Sequence, residues 1–207
     1  MMNPTKERVF KPEKLFAPRN FKAPKLKSTQ FLEIGAGKGM HAMKFAEANP
    51  QKHLIAVERT RAKFDVFASR AKDLSLENLS AVHADAIPWV VHGFPPKSLD
   101  GVFLLYPNPE PKNASQRWLN MPFFEFLLSR MKPKATLVLA TNIKEYVDEA
   151  EVLARKDWAL NVKRIEVSKD SARTHFEVKY LARGEVCYQL NLEKPAGYQT
   201  RFDDWFA

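Results

Sequence analysis

The sequence predicts an α/β fold whose sheet has about seven strands, mostly parallel with an antiparallel edge pair. Three observations carry this. Short apolar runs alternate with helix-period segments from Gln30 to Thr141, the pattern of a parallel sheet covered by helices. Glycines cluster at the exit of the first apolar run, at Gly35, Gly37 and Gly39. The last third changes to two extended stretches, which suit antiparallel pairing at a sheet edge.

The elements follow in order. Phe31–Gly35 reads as a first strand, followed by a helix to about Ala48. His53–Glu58 is a second strand. Thr60–Leu74 is helical, with Phe64, Phe67, Ala68, Ala71 and Leu74 along one face. Leu79–Asp85 is a third strand and Leu99–Tyr106 a fourth. Pro122 suits the start of a helix carrying Phe123, Phe124, Phe126, Leu127, Leu128 and Met131, and Ala135–Thr141 is a fifth strand. Trp158–Val167 is extended. Thr174-His175-Phe176-Glu177 fits a capping box that opens a helix ending near Gly184, although Val178-Lys179-Tyr180 would equally suit a strand. Glu185–Glu193 alternates Val186, Tyr188, Leu190 and Leu192, a half-buried strand that pairs antiparallel with Trp158–Val167.

Composition excludes several classes. The 207 residues are 45% hydrophobic and 12% aromatic, enough for one well-filled core and against disorder. Cys187 is the only cysteine, which rules out a disulfide scaffold and any Cys₄ or Cys₂His₂ metal site; it reads as a packed small hydrophobe. The histidines show no i,i+4 pairing, so no metal is expected. No apolar run spans a membrane and the N-terminus has no signal-peptide core, so the expected compartment is the cytoplasm. The aromatic C-terminus (Phe202, Trp205, Phe206) is expected to pack back on the domain.

The net charge of +9 is unevenly placed. Residues 1–27 hold eight cations against Glu7 and Glu13, a net +6, with Pro4, Pro12, Pro18 and Pro24 interspersed. The reading is a flexible basic arm over residues 1–29 on a catalytic domain of residues 30–207. A basic arm of this kind meets a polyanion, often nucleic acid, or else simply solubilises the chain.

Glu33-x-Gly35-x-Gly37-x-Gly39 is the clearest site. Glycines at a strand exit let the backbone turn sharply and approach a ligand closely. A dinucleotide fingerprint would place its third glycine at position 40, which is Met40. Glu58 and Asp85, at the ends of the next two strands, would accept hydrogen bonds from ribose hydroxyls and from an adenine amine on the same sheet edge. The tighter glycine spacing resembles motif I of the class I S-adenosylmethionine (SAM) methyltransferases, with their Rossmann-like sheet.

Three later elements narrow the resemblance. Pro107-Asn108-Pro109-Glu110-Pro111-Lys112, Thr141-Asn142-Ile143-Lys144-Glu145-Tyr146 and Thr174-His175-Phe176-Glu177 occur in order after the glycine motif. Together they resemble the bacterial tRNA (guanine-N7-)-methyltransferase family, over about Phe31 to Lys194. The resemblance implies SAM as cofactor, bound by Glu33, Gly35, Gly37, Gly39, Glu58, Asp85 and Asn108, the last also in the catalytic position. It implies tRNA as partner, with Lys112, Asn142, Thr174, His175, Phe176 and Glu177 holding the guanine. The arm, Lys112, Arg117, Lys132 and Lys134 would meet phosphates. The chain departs from the family where Asn108 and Asn142 replace aspartates, where Glu110 replaces a tryptophan, and where a basic stretch is reduced to Asn113–Arg117.

Guanine N7 has an in-plane lone pair and no proton, so its methylation needs alignment more than a base. The methylated ring gains positive charge. A carboxylate about 5 Å away is worth at most about 3 kcal/mol at an effective dielectric near 20, or about two decades in rate. The amides therefore slow such a reaction without abolishing it. Two other readings stand beside it: a relative acting on another nucleobase or a small molecule, in line with the Asn-Pro loop, and a non-catalytic SAM- or RNA-binding protein. The sequence does not distinguish a monomer from a weak dimer.

Overall fold

The computed structural model describes residues 8–206. Seven strands form one sheet in the order β3-β2-β1-β4-β5-β7-β6: β1 Gln30–Ile34, β2 His53–Glu58, β3 Leu79–His83, β4 Leu99–Leu105, β5 Met131–Thr141, β6 Asn161–Glu166 and β7 Tyr188–Glu193. The first five are mutually parallel, whereas β7 runs antiparallel to both neighbours, β5 and β6. The antiparallel pairing is as expected, with β7 inserted between β5 and the edge strand β6. Every residue of β2 is buried, as a strand covered on both faces must be.

Six α-helices cover the sheet: α1 Met40–Ala48, α2 Arg61–Leu74, α3 Ala86–Gly93, α4 Phe123–Arg130, α5 Lys144–Lys156 and α6 His175–Ala182. The predicted face of α2 buries fully only Phe67, and Leu74 at its end is exposed. Several boundaries move: β6 begins at Asn161 and β7 at Tyr188, each three residues later than expected. β3 ends at His83, and Asp85 caps α3 instead, accepting from Ile87 N at 3.0 Å. β5 begins at Met131, directly after α4. Residues 178–180 are helical, because Thr174 caps the helix: its Oγ1 accepts from Glu177 N at 3.0 Å, while the Glu177 carboxylate reaches back to Arg173 N one residue before the cap.

The described part of the arm, residues 8–29, lies along the domain. Phe10 packs edge-on against Phe123 and Phe202, and Phe21 against Trp89 and His92. His92 Nε2 lies 2.8 Å from the Leu15 carbonyl. The cations of this stretch remain on the outside, while Lys6 and the rest of residues 1–7 lie outside the described residues. The C-terminus packs back through Phe202 and Trp205, leaving Phe206 exposed. Buried Arg130 holds it, donating to the carbonyls of Phe94, Phe202 and Trp205.

Candidate functional site

The strand order reverses between β1 and β4, and the crevice beyond the carboxyl ends of the strands at such a point is where open α/β sheets bind ligands. A cleft of about 670 Å³ occupies this position, within the usual size of a cofactor or substrate site. Its floor comes from Ile34, Val57, Ala84 and Leu105, near the carboxyl ends of β1 to β4.

The glycine loop forms one wall. Gly35 and Gly37 have φ of +80° and +58°, and a Cβ on either would meet nothing within 4 Å. Their missing side chains leave open space beside the cleft, a cradle for a ligand approaching the backbone. Gly39 serves packing instead. At φ +79° its Cβ would stand 1.9 Å from the Phe67 ring, so this glycine lets α1 close onto α2.

Glu58 is buried and fixed by its own loop. Gly37 N donates to its Oε2 at 2.8 Å and Thr60 N to its Oε1 at 2.6 Å. The carboxylate thus ties the end of β2 to the glycine loop, and Glu58 lines the cleft. Asp85 lines the cleft from the α3 cap, with its second oxygen unpaired among the described residues. Glu33 does not line it. Its carboxylate lies beneath the loop, 2.9 Å from His41 Nδ1 in the first turn of α1, with both groups buried.

The opposite wall comes from the loop after β4 and from α6. Tyr106 leaves β4 at φ +53°, a conformation uncommon for a bulky residue, and turns the chain into the proline-rich loop. Asn108 is exposed at the cleft, its Oδ1 facing Glu110 N at 3.4 Å. Glu110 is half-buried and also lines the cleft. Phe176 and Tyr180 stack at 6.0 Å between ring centroids, and with Trp118 they give this side an aromatic surface on which a base can lie.

Glu177 is the hub behind that wall. Its fully buried carboxylate accepts from Tyr106 Oη at 2.7 Å, from Ser171 Oγ, and from Arg173 N, Nε and Nη2. Burial pushes its pKa up, but these hydrogen bonds and the Arg173 charge outweigh burial and bring it down to about 2. Burial and hydrogen bonds with Cys187 and Glu177 raise the Tyr106 hydroxyl above its usual range, so it stays a protonated donor.

The cleft therefore gathers Gly35, Gly37, Glu58, Asp85, Asn108, Asn142 and Phe176 from the residues named by sequence. Glu33, Gly39, Lys112, Thr174, His175 and Glu177 lie outside its lining. Thr174 and Glu177 are occupied in the helix N-cap and the Arg173 network, while Lys112 and His175 are exposed. The sequence reading missed Tyr106, Glu110, Trp118 and Tyr180 in or beside the cleft. Only the two loop residues carried a signal, through their place next to Asn108. No group of three or more metal-ligating side chains occurs among the described residues, and no helix among them is long and apolar enough to cross a membrane.

Comparison with known proteins agrees with this geometry. A family model described as a putative methyltransferase matches residues 27–190. The chain is 30% identical over 173 residues to a tRNA (guanine-N(7)-)-methyltransferase of Nitrosospira multiformis, covering 81% of this chain and 76% of that one. The chain belongs to this methyltransferase family. A second member, from Nitrosococcus oceani and carrying the same name, is 28% identical, with 80% of this chain and 71% of that protein covered. A SAM-dependent methyltransferase from Aquifex aeolicus shares the fold, with a TM-score of 0.57 at 18% identity, covering 92% and 93% of the two chains. Among methyltransferases of the family, this one is divergent: Asn108 and Asn142 stand where the resemblance leads one to expect aspartates.

Proposed function

We propose that the protein transfers the methyl group of SAM to N7 of a guanine in tRNA, in the cytoplasm. The observation that carries this reading is the Glu58 carboxylate, pinned by the Gly37 and Thr60 amides beside an open glycine cradle. That arrangement suits a nucleoside with two free ribose hydroxyls and leaves no Cβ between the ligand and the backbone. Asp85, with its second oxygen, suits the adenine amine. When bound there, SAM supplies a methyl group activated on a sulfonium.

The chain's own residues then have three tasks. The aromatic surface of Phe176, Tyr180 and Trp118 holds the target base flat, so that its N7 lone pair meets the methyl carbon in line. No side chain removes a proton, because N7 carries none. Because SAM would supply its methyl group as an electrophile and leave as a neutral thioether, the accepting base would take on the positive charge. The half-buried Glu110 carboxylate is placed to stabilise that charge in a cleft where Asn108 and Asn142 contribute only dipoles. The external cations of the arm meet the tRNA backbone, which gives binding that weakens steeply with salt.

The test is nucleoside mass analysis of tRNA incubated with the protein and isotopically labelled SAM. Label in 7-methylguanosine supports the reading. Label in an exocyclic-amine product would favour the Asn108-Pro109 loop acting on another acceptor. SAM binding with no transfer to bulk tRNA would refute the reading for tRNA.

A further inference from the structure

Asn142 lies directly after β5 and lines the cleft, and its Nδ2 donates to Glu185 Oε2 at 2.7 Å. Glu185 comes from the turn that ends α6. Gly184 at φ +76° reverses the chain, and Glu185 N donates to the Tyr180 carbonyl at 3.1 Å. The other Glu185 oxygen is 3.9 Å from Arg183 Nη1. Glu185 itself stands outside the cleft lining.

An asparagine amide can present either a donor or an acceptor in nearly the same shape. A carboxylate can only accept. The Asn142 amide is therefore fixed with its NH₂ group on Glu185 and its Oδ1 on the opposite side. The hydrogen bond is charge-assisted, and it polarises the amide so that its oxygen becomes a stronger acceptor.

We propose that Glu185 is a positioning residue for the transfer reaction. It makes Asn142 a dedicated acceptor for the ring and exocyclic N–H groups on the edge of the substrate guanine. An amide and a carboxylate in series do the work that a single aspartate at position 142 would do. The identity of the base rests on the function proposed above; the orientation of Asn142 rests on the Glu185 contact alone.

The two residues predict a reversal of sign. Asn142→Asp by itself puts two carboxylates at hydrogen-bond distance. Glu185→Gln by itself lets the amide turn over. Combining the two substitutions exchanges the roles, with a carboxylate at position 142 facing an amide at position 185, and so restores one donor and one acceptor. In steady-state transfer to bulk tRNA, Asn142→Asp should raise KM for tRNA about tenfold or more, equivalent to about 1.4 kcal/mol. Glu185→Gln should raise it severalfold, and the double variant should return to within about threefold of wild type. SAM affinity should be unchanged in all three. Additive effects of the two substitutions, or a gain from Asn142→Asp alone, would overturn the proposal.

Failure of the functional reading gives a different result. If wild-type protein labels another nucleoside, the acceptor assignment falls, and the same cycle is read on that nucleoside. If nothing is labelled, thermal unfolding of the same four proteins decides. A lower Tm for Asn142→Asp that the second substitution recovers supports the Glu185 contact, and no recovery overturns it.

Discussion

Removing the charge of Glu177 while keeping its shape, by Glu177→Gln, tests the claim that α6 is held to β4 by one carboxylate. The side chain is fully buried and accepts from Tyr106, Ser171 and Arg173. A carboxyl lowered from 4.5 to about 2 by folding stabilises the native state by about 3 kcal/mol at neutral pH. The sign follows from the depressed folded value: the contribution is complete above the unfolded pKa of 4.5 and is lost as pH falls toward 2. At pH 3 about 1.4 kcal/mol of it remains. Glu177→Gln should therefore cost about 3 kcal/mol at pH 7, or about 6–12 °C in Tm for a chain of this size. At pH 3 the gap between wild type and variant should shrink to roughly half or less. Urea unfolding at both pH values measures this. A gap that stays constant with pH would show that the carboxylate charge is not what holds the helix, and the hub would reduce to packing.

Glu58→Gln keeps the backbone contacts of one oxygen but presents an amide to the cleft, so SAM affinity by calorimetry should fall about 10- to 100-fold with a Tm drop too small to explain the loss; unchanged affinity would remove Glu58 from the cofactor site. Gly39→Ala and Gly37→Ala should separate packing from binding. The first drives a methyl into Phe67 and should cost about 2–5 kcal/mol in unfolding experiments. The second meets no neighbouring atom, should cost about 1–2 kcal/mol, and should show its main effect as weaker SAM binding. His53 has its pKa lowered by burial and then by Lys27, so its contribution is complete above 6.5 and is lost as the medium becomes acid. His53→Gln should accordingly flatten the stability–pH curve below pH 6.5, as read by urea midpoints from pH 5 to 8.

The parts that were legible are those whose residues answer to their immediate neighbours. The strands of the parallel core are short runs of buried apolar residues, and β2, His53–Glu58, is buried at all six positions. The glycine loop shows in spacing because positive φ and close approach are properties of single residues. Helix α3 was hidden for the opposite reason. Its sequence, Ala86–Gly93, is apolar nearly all round and contains Pro88, so it has no polar stripe to mark a period. The arm explains why: Phe21 packs on Trp89, and Pro24 lies where a side chain at position 93 would touch it, so the outer face of α3 is covered too. The arm's proline and lysine content masked the apolar residues that dock it, Phe10, Leu15, Phe21 and Leu26. Helix α5 buries Tyr146, Val147, Ala150 and Ala154, a helical spacing in which two small alanines give only a weak apolar signal.

Within the site, what sequence order concealed was which acid faces which partner. Glu177 stands in a motif that the family resemblance assigns to the base, yet its carboxylate meets Tyr106, 71 residues earlier in the chain. Asn142 meets Glu185 across 43 residues. Glu110 follows Asn108 by two residues and lines the same cleft. Counted along the motifs, the acceptor side has lost two carboxylates. Counted in space, it holds Glu110 in the cleft wall and Glu185 behind Asn142. A carboxylate within about 5 Å of a base turning cationic would be worth at most about 3 kcal/mol. That energy depends on where the charge sits and not on which strand end or loop supplies it. If these two carboxylates supply the negative charge that Asn108 and Asn142 lack, neutralising Glu110 by Glu110→Gln should lower the transfer rate by up to about two decades, and an unchanged rate would refute that role.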